Sequence, residues 1–300
     1  MRIGIFGGDT QSQSIDQIVG AARTAETQGF ASYWLPQIFG LDAITTLAIV
    51  GREVPRIELG TAVVPTYPRH PGMLASQALT TAAAAGGRFT LGIGLSHQIV
   101  VEMMWGLSYD KPARHMREYL AILLPMLRDG NVSFAGETLT AHSPLIVTDR
   151  HPVPVMIAAL APRMLELAGG TADGTITWMT GPNTLADYIV PNINAAAARA
   201  DKPTPRVGAS LPVMVTNDAD GARTRAANDF QVYGTLPSYK AMLDKEGASG
   251  PADVAIVGDE SAVGKAVQSI RDAGVTDFVA AEFGSTEEQA RTREFLRTLL

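Results

Sequence analysis

The chain is predicted to fold as an α/β protein of the (β/α)8 TIM-barrel class, with modest insertions. Three observations carry this expectation. Eight short apolar or β-branched runs alternate with longer helical patterns across 300 residues, which is the count and length such a barrel needs. No shift in composition divides the chain, so residues 1–300 read as one domain. Two of the runs, Glu58–Pro71 and Arg88–His97, open at the same end into glycines and polar residues, the end at which a barrel builds its active site. A doubly wound sheet is the alternative with the same alternation.

In chain order, the first strand is Ile3 to Phe6, followed by the loop Gly7-Gly8-Asp9. Ser14 with Gln17 three residues on makes a capping box, starting a helix that runs to about Gln28 and stops at Gly29. Ser32 to Leu35 is the second strand, and Pro36-Gln37 leads to a helix over about Ala43 to Arg52. The third strand covers about Glu58 to Val64, and an alanine-rich helix follows from about Gly72 to Ala85. The fourth, Phe89 to Ile93, carries Gly92 and Gly94, where the missing side chains let backbone and ligand approach closely. Ser96 and His97 stand at its carboxyl end.

Beyond it, Leu120, Leu123, Leu124 and Leu127 mark one face of a helix beginning near Ala113. Val132–Phe134 and Thr138–Thr140, either side of Gly136-Glu137, read as a small hairpin outside the alternation. Strand five is Val155 to Ala158, with a helix from Pro162 to Ala168 whose proline stands where no first-turn N–H is needed. Strand six is about Thr175 to Thr177, with a helix from about Leu185 to Ala200. Strand seven is about Val207 to Val215, with helices over about Ala219 to Phe230 and Pro237 to Lys245. Val254–Val257 precedes a helix with Val263, Val267 and Ile270 on one face. Strand eight is Phe278 to Ala280, and Ser285 with Glu288 caps the last helix.

Composition narrows the function. With 46% hydrophobic and 18% charged residues the chain is ordinary for a soluble enzyme, and a net charge of −6 argues against a nucleic-acid surface or an anionic membrane as partner. No cysteine occurs, which excludes disulfides, a thiolate nucleophile and cysteine-bearing metal sites. No basic-then-apolar leader opens the chain and no run of 18 apolar residues crosses it, so a cytoplasmic location is expected. The histidines at 70, 97, 115, 142 and 151 do not supply the converging set of a metal-dependent barrel hydrolase. Glu58 at a strand beginning and Glu137 in a hairpin turn do not make a glycosidase pair. Gly92-Ile93-Gly94 lacks the third glycine of a dinucleotide fingerprint.

Six stretches in register give a resemblance over nearly the whole chain: Tyr33 to Gln37, Leu59-Gly60-Thr61-Ala62-Val63, Arg69-His70-Pro71, Gly86 to Gly94, Ala158 to Pro162, and Ala172-Asp173-Gly174. Together they resemble the bacterial luciferase-like monooxygenase superfamily, and within it the oxidoreductases that use the deazaflavin coenzyme F420. The resemblance implies a small-molecule substrate, a homodimer through helices two and three, and F420 as cofactor, with FMN as the alternative. It implies a bulge with a cis non-proline peptide at Ala62-Val63, next to Thr61, as the backstop behind the central flavin ring. It also implies that Gly94, Leu95, Ser96 and His97 line the pyrimidine edge. Relatives often place a glutamate near His97; a protonated imidazole there would stabilise negative charge on a reduced ring.

Dehydrogenating relatives have an acid-histidine pair after strand two, where this chain has Pro36-Gln37. Glutamine cannot act as a general base, so a reductase fits better than an alcohol dehydrogenase. His70 and Tyr67 are candidate proton donors, with a plain surface role as the alternative for each. For the phosphate end, Ala158, Ala159, Leu160 and Ala161 before Arg163, and Met179, Thr180 and Gly181 after strand six, place N–H groups near helix starts. Arg69 and Arg163 are candidate partners for an anionic tail, with a structural salt bridge as the default for each. Some relatives have a lysine in the strand-six loop where this chain has Thr180-Gly181-Pro182, a departure that weakens F420 against FMN. Loss of both familiar acid-base residues also leaves open a non-catalytic flavin-binding protein.

Overall fold

The computed structural model describes residues 1–8 and 10–300; Asp9 of the predicted first loop lies outside the described residues. The strands are β1 (Arg2–Phe6), β2 (Ser32–Leu35), β3 (Glu58–Thr61), β4 (Val64–Pro65), β5 (Phe89–Gly94), β6 (Asn131–Ala135), β7 (Thr140–Pro144), β8 (Val155–Ile157), β9 (Gly174–Trp178), β10 (Arg206–Val215), β11 (Ile256–Gly258) and β12 (Asp277–Glu282). β1 pairs in parallel with both β2 and β12, and β10 with both β9 and β12. With β2–β3–β5–β8–β9 between them the sheet closes on itself. A doubly wound sheet would leave two edges, and this ring has none. β11, absent from the predicted strands, adds to the far end of β10, pairing Val213 with Ile256 and Val215 with Gly258.

Alternation sorts the strand residues. Ile3 and Ile5 of β1 join the layer under the helices, whereas Trp34, Met156, Ile176 and Val279 form a separate buried cluster inside the ring. Trp34 is fully buried, and its Nε1–H donates to Ser32 Oγ at 2.8 Å. A Cβ on Gly60 would overlap the Trp34 ring. One indole with a glycine facing it therefore fills much of the interior, so the barrel is a packed core and not a pore.

The helices are α1 (Ile15–Thr27), α2 (Ala43–Glu53), α3 (Pro71–Ala84), α4 (Pro112–Asp129), α5 (Pro162–Gly170), α6 (Pro182–Thr184), α7 (Val190–Arg199), α8 (Ala219–Asp229), α9 (Gln231–Thr235), α10 (Pro237–Glu246), α11 (Pro251–Val254), α12 (Glu260–Asp272) and α13 (Thr286–Arg297). Both predicted capping boxes are present, Ser14 with Gln17 and Ser285 with Glu288. The helix expected from Leu185 starts earlier, at Pro182, and passes from α6 to α7 through a π-helical turn, Leu185–Ile189. Pro191 has no N–H to return to the preceding turn, which the wider turn accommodates.

The third strand is shorter than expected, ending at Thr61 and resuming as β4. The hairpin also differs: β7 begins at Thr140, where Thr138 was expected. Glu118 of α4 is the cause. Its carboxylate accepts the N–H groups of Glu137 (3.0 Å), Thr138 (2.8 Å) and Leu139 (3.0 Å) and the Thr138 hydroxyl (2.6 Å), which turns those residues out of the ladder. Burial opposes ionisation, but these donors hold the Glu118 carboxyl below its ordinary value. Glu118→Ala is expected to cost about 2–3 kcal/mol, since three backbone donors lose a charged acceptor. Urea unfolding measures it, and an unchanged midpoint would refute it. With its folded pKa depressed, this contribution is present above the unfolded value near 4.3 and is lost as pH falls below it.

Candidate active site

The carboxyl ends of the strands meet at one mouth. The Ala62–Val63 peptide is cis, and neighbours on both sides hold the interruption it makes. On one side, Ala62 N donates to Leu35 O at 2.8 Å and Gln37 N to Val63 O at 3.3 Å. On the other, the Thr61 hydroxyl donates to Gly92 O and accepts from Gly92 N, both at 2.8 Å, replacing the backbone ladder. A Cβ on Gly92 would overlap Thr61 O, which explains that glycine. A Cβ on Gly94 would lie 2.7 Å from Val63 Cγ2 and 3.3 Å from Ala158 Cβ. Val63, Gly94 and Ala158 thus converge, while Ala62, Val63 and Phe6 cover the interior cluster around Trp34.

Past β5, Ser96 has φ +62 and turns the chain so that His97 begins the π-helical turn Val100–Met104, its carbonyl accepting from Val100 N and Val101 N. The His97 ring lies 5.6 Å from the ring of Tyr239 on α10. Burial pushes the His97 imidazolium below its ordinary value. Burial thus disfavours the protonated imidazole that the sequence reading expected. Leu95 is half-buried beside it. Behind this loop Tyr67 stacks on His115 at 4.0 Å and on Tyr109 at 5.3 Å, and Tyr109 O–H donates to Ser96 O at 3.4 Å. Burial pushes His115 down to about 4 and raises Tyr67 well above the ordinary phenol value. Tyr67 is thus a poor acid, although its buried hydroxyl has no hydrogen-bond partner.

The other candidates are bound by local structure. Gln37 Oε1 accepts from Ala43 N at 2.8 Å, satisfying a first-turn N–H of α2 and leaving Nε2 as its donor end. His70 is the N-cap of α3: Nδ1 accepts from Gly72 N at 3.2 Å and Nε2 faces Thr140 O at 3.3 Å. Both nitrogens are engaged, which fixes the proton on Nε2 and ties α3 to the hairpin. Arg69 pairs with Asp42, the N-cap of α2, at 2.6 Å.

At the two helix starts proposed for phosphate, the structure separates the pair. α5 begins after Ala161 with no side-chain cap, and Arg163 is exposed in its first turn. Ala159 is buried, its N–H donating to Thr175 Oγ1 at 3.3 Å, and Leu160 is half-buried. After β9, Met179 has φ +53 and the buried Thr180 hydroxyl donates to Trp178 O at 3.3 Å. There the N–H groups of Asn183 and Thr184 donate to the Glu246 carboxylate at 3.1 and 2.7 Å. A Cβ on Gly181 would overlap that carboxylate. The chain's own anion fills this seat, so a phosphate is not expected there.

Five residues at the mouth escaped the sequence reading. Phe6 stacks on Trp178 at 5.7 Å, Trp178 meets Tyr233 edge-on at 5.7 Å, Tyr233 meets Tyr239 at 5.3 Å, and Glu246 latches the end of α10. Trp178 had a signal, as an aromatic at a strand's carboxyl end. The residues of α9 and α10 had none, because nothing local marks a helix that folds back over a barrel. No cluster of three or more metal-binding side chains occurs among the described residues, and none of their helices is long and apolar enough to cross a membrane.

Residues 1–293 match the model of the luciferase-like monooxygenase family. The 5,10-methylenetetrahydromethanopterin reductase of Methanolobus tindarius is 27% identical over 254 residues, 84% of this chain and 77% of that one. An F420-dependent glucose-6-phosphate dehydrogenase of Kineococcus radiotolerans is 25% identical over 301 residues, 90% and 88% of the two chains. Among solved structures, an F420-dependent secondary alcohol dehydrogenase with an F420-acetone adduct superposes with TM-score 0.83 at 17% identity, over 100% of this chain and 98% of that one. The FMN complex of the oxygenating constituent of 3,6-diketocamphane monooxygenase from Pseudomonas putida superposes with TM-score 0.79 at 15% identity, over 99% and 96%. At these identities the superpositions establish the fold.

Proposed function

We infer from the luciferase-like monooxygenase family, to which this chain belongs, that the protein is a coenzyme F420-dependent oxidoreductase acting as a reductase on a small organic substrate. The observation that carries the direction is Gln37. It stands where dehydrogenating relatives have a base, its acceptor oxygen is held by Ala43 N, and its amide takes up no proton. The residues at the mouth fit a planar deazaflavin: Ala62, Val63, Gly94 and Ala158 offer backbone and small groups for a flat ring to lie on, and the uncapped start of α5 suits a phosphate. When bound and reduced, such a cofactor supplies hydride. The chain's part is to orient it, with His97, whose charged form burial disfavours, at the ring edge.

A second reading, an FMN-dependent monooxygenase, is favoured by Glu246. With the β9 helix start filled, one seat for an extended anionic tail is gone, and FMN has the shorter tail. Titrating the purified protein with F420 and with FMN, followed by cofactor fluorescence, separates the two. F420 binding with turnover of enones, quinones or aldehydes is the expected result. Tight FMN with no F420 binding would reverse the choice, and binding without turnover of any acceptor would mark a non-catalytic flavin-binding protein.

A further inference from the structure

The barrel mouth holds one feature that the cofactor reading does not use. An aromatic chain runs from Phe6 through Trp178, Tyr233 and Tyr239 to His97, crossing from the end of β1 to the loop after β5 with ring separations of 5.3–5.7 Å. Within it the Trp178 indole N–H is buried and has no hydrogen-bond partner. An unpaired buried donor is costly to keep, and at a mouth it is open to a ligand's acceptor. The ring of Tyr233 meets the Trp178 indole edge-on at 5.7 Å, and burial keeps its phenol protonated and a donor.

The surroundings set the chemistry of what fits. Nearby charges are already engaged: Arg69 with Asp42, Glu246 with Asn183 and Thr184, and Lys245 over the Tyr188 ring at 4.4 Å. With Arg163 left to the phosphate seat at the α5 start, these charges leave none free beside the aromatic chain for a phosphorylated substrate. A flat apolar molecule would stack on the aromatic chain, and one oxygen placed between Trp178 and Tyr233 would take both donors.

We propose that Trp178 Nε1–H and Tyr233 O–H form a two-donor seat for the carbonyl oxygen of a flat, uncharged, conjugated acceptor such as an enone or quinone. This rests on the reading that a hydride acceptor binds at the mouth. Two donors aimed at the oxygen stabilise the charge that grows there as the conjugated system accepts hydride, and they do less for the uncharged ground state.

The test uses protein labelled with 15N in its three tryptophans, with the Trp178 indole resonance assigned by its loss in Trp178→Phe. The probes are menadione, cyclohex-2-enone and glucose 6-phosphate, added with and without F420 or FMN. The expected result is a downfield shift of the Trp178 indole proton with the two carbonyl probes and none with glucose 6-phosphate. In Tyr233→Phe, which keeps the ring packing, the apparent affinity for menadione should fall about tenfold. An indole proton that stays in place at saturating menadione, or moves equally with glucose 6-phosphate, would overturn the seat. So would a shift produced by cofactor alone and unaltered by the probes, and that outcome would leave the cofactor reading standing. A carbonyl-dependent shift in a protein that binds neither cofactor would keep the seat and remove the oxidoreductase reading.

Discussion

Arg206→Ala is expected to lower folding stability by about 3 kcal/mol or more. Arg206 stands at the amino end of β10, inside the ring. Its guanidinium donates to Asp277 through Nη2 at 2.8 Å and Nε at 3.2 Å, to Glu58 at 2.9 Å and to Thr90 Oγ1 at 3.2 Å. Asp277 is only 2% exposed, so removing the arginine leaves a buried carboxylate with Thr276 and the more exposed Arg2 at 3.5 Å. Burial opposes its ionisation, but Arg206 holds the Asp277 carboxyl below the usual carboxylate range. A depressed folded pKa gives stability that is present above the unfolded value near 3.9 and is lost as pH falls. The gap between wild type and Arg206→Ala should therefore be widest at neutral pH and should narrow below pH 4. Urea unfolding at pH 7 and pH 3.5 measures both; equal midpoints at pH 7 would refute the network. Cofactor binding below the transition should persist, because the amino end of a barrel carries stability and the carboxyl end carries chemistry.

How much was legible in the sequence follows from how local each signal is. The capping boxes at Ser14 and Ser285, and the strand Ser32–Leu35, depend on residues within one turn or one alternation, and the structure keeps them at the expected positions. The Ala62–Val63 interruption was legible only through the resemblance, since an apolar run from Glu58 to Val64 reads as one strand. The hairpin boundary failed because its cause, Glu118, lies about 20 residues away on another element. The Glu246 carboxylate at the helix start after β9 was hidden for the same reason at greater distance: it is more than 60 residues from the N–H groups it accepts. For His97, burial disfavours the charged form, and no window of sequence shows the elements, α10 with Tyr239 among them, that pack around it. Pattern thus places strands and caps, while the state of a titratable group waits for the three-dimensional surroundings.

Gly94→Val is expected to weaken cofactor binding about a hundredfold, roughly 2.7 kcal/mol, with the fold retained. Gly94 closes β5 and pairs with Pro65, and its φ is not among the positive values, so a β-branched residue suits its backbone. The new Cβ would press on Val63 Cγ2 at 2.7 Å and Ala158 Cβ at 3.3 Å. Both are side-chain atoms at the mouth, which can give way by moving into the space a flat ring needs. Gly92, two residues earlier on the same strand, makes the contrast. Its Cβ would meet the backbone carbonyl of Thr61, which is pinned by its own hydroxyl to Gly92, so Gly92→Ala is expected to unfold the chain or lower its melting temperature sharply. The pair therefore separates two roles that one glycine-rich strand combines, packing at Gly92 and ligand approach at Gly94. Circular dichroism and cofactor titration on both variants decide it: wild-type affinity for F420 and FMN in folded Gly94→Val would mean that no ring lies against Val63 and Ala158.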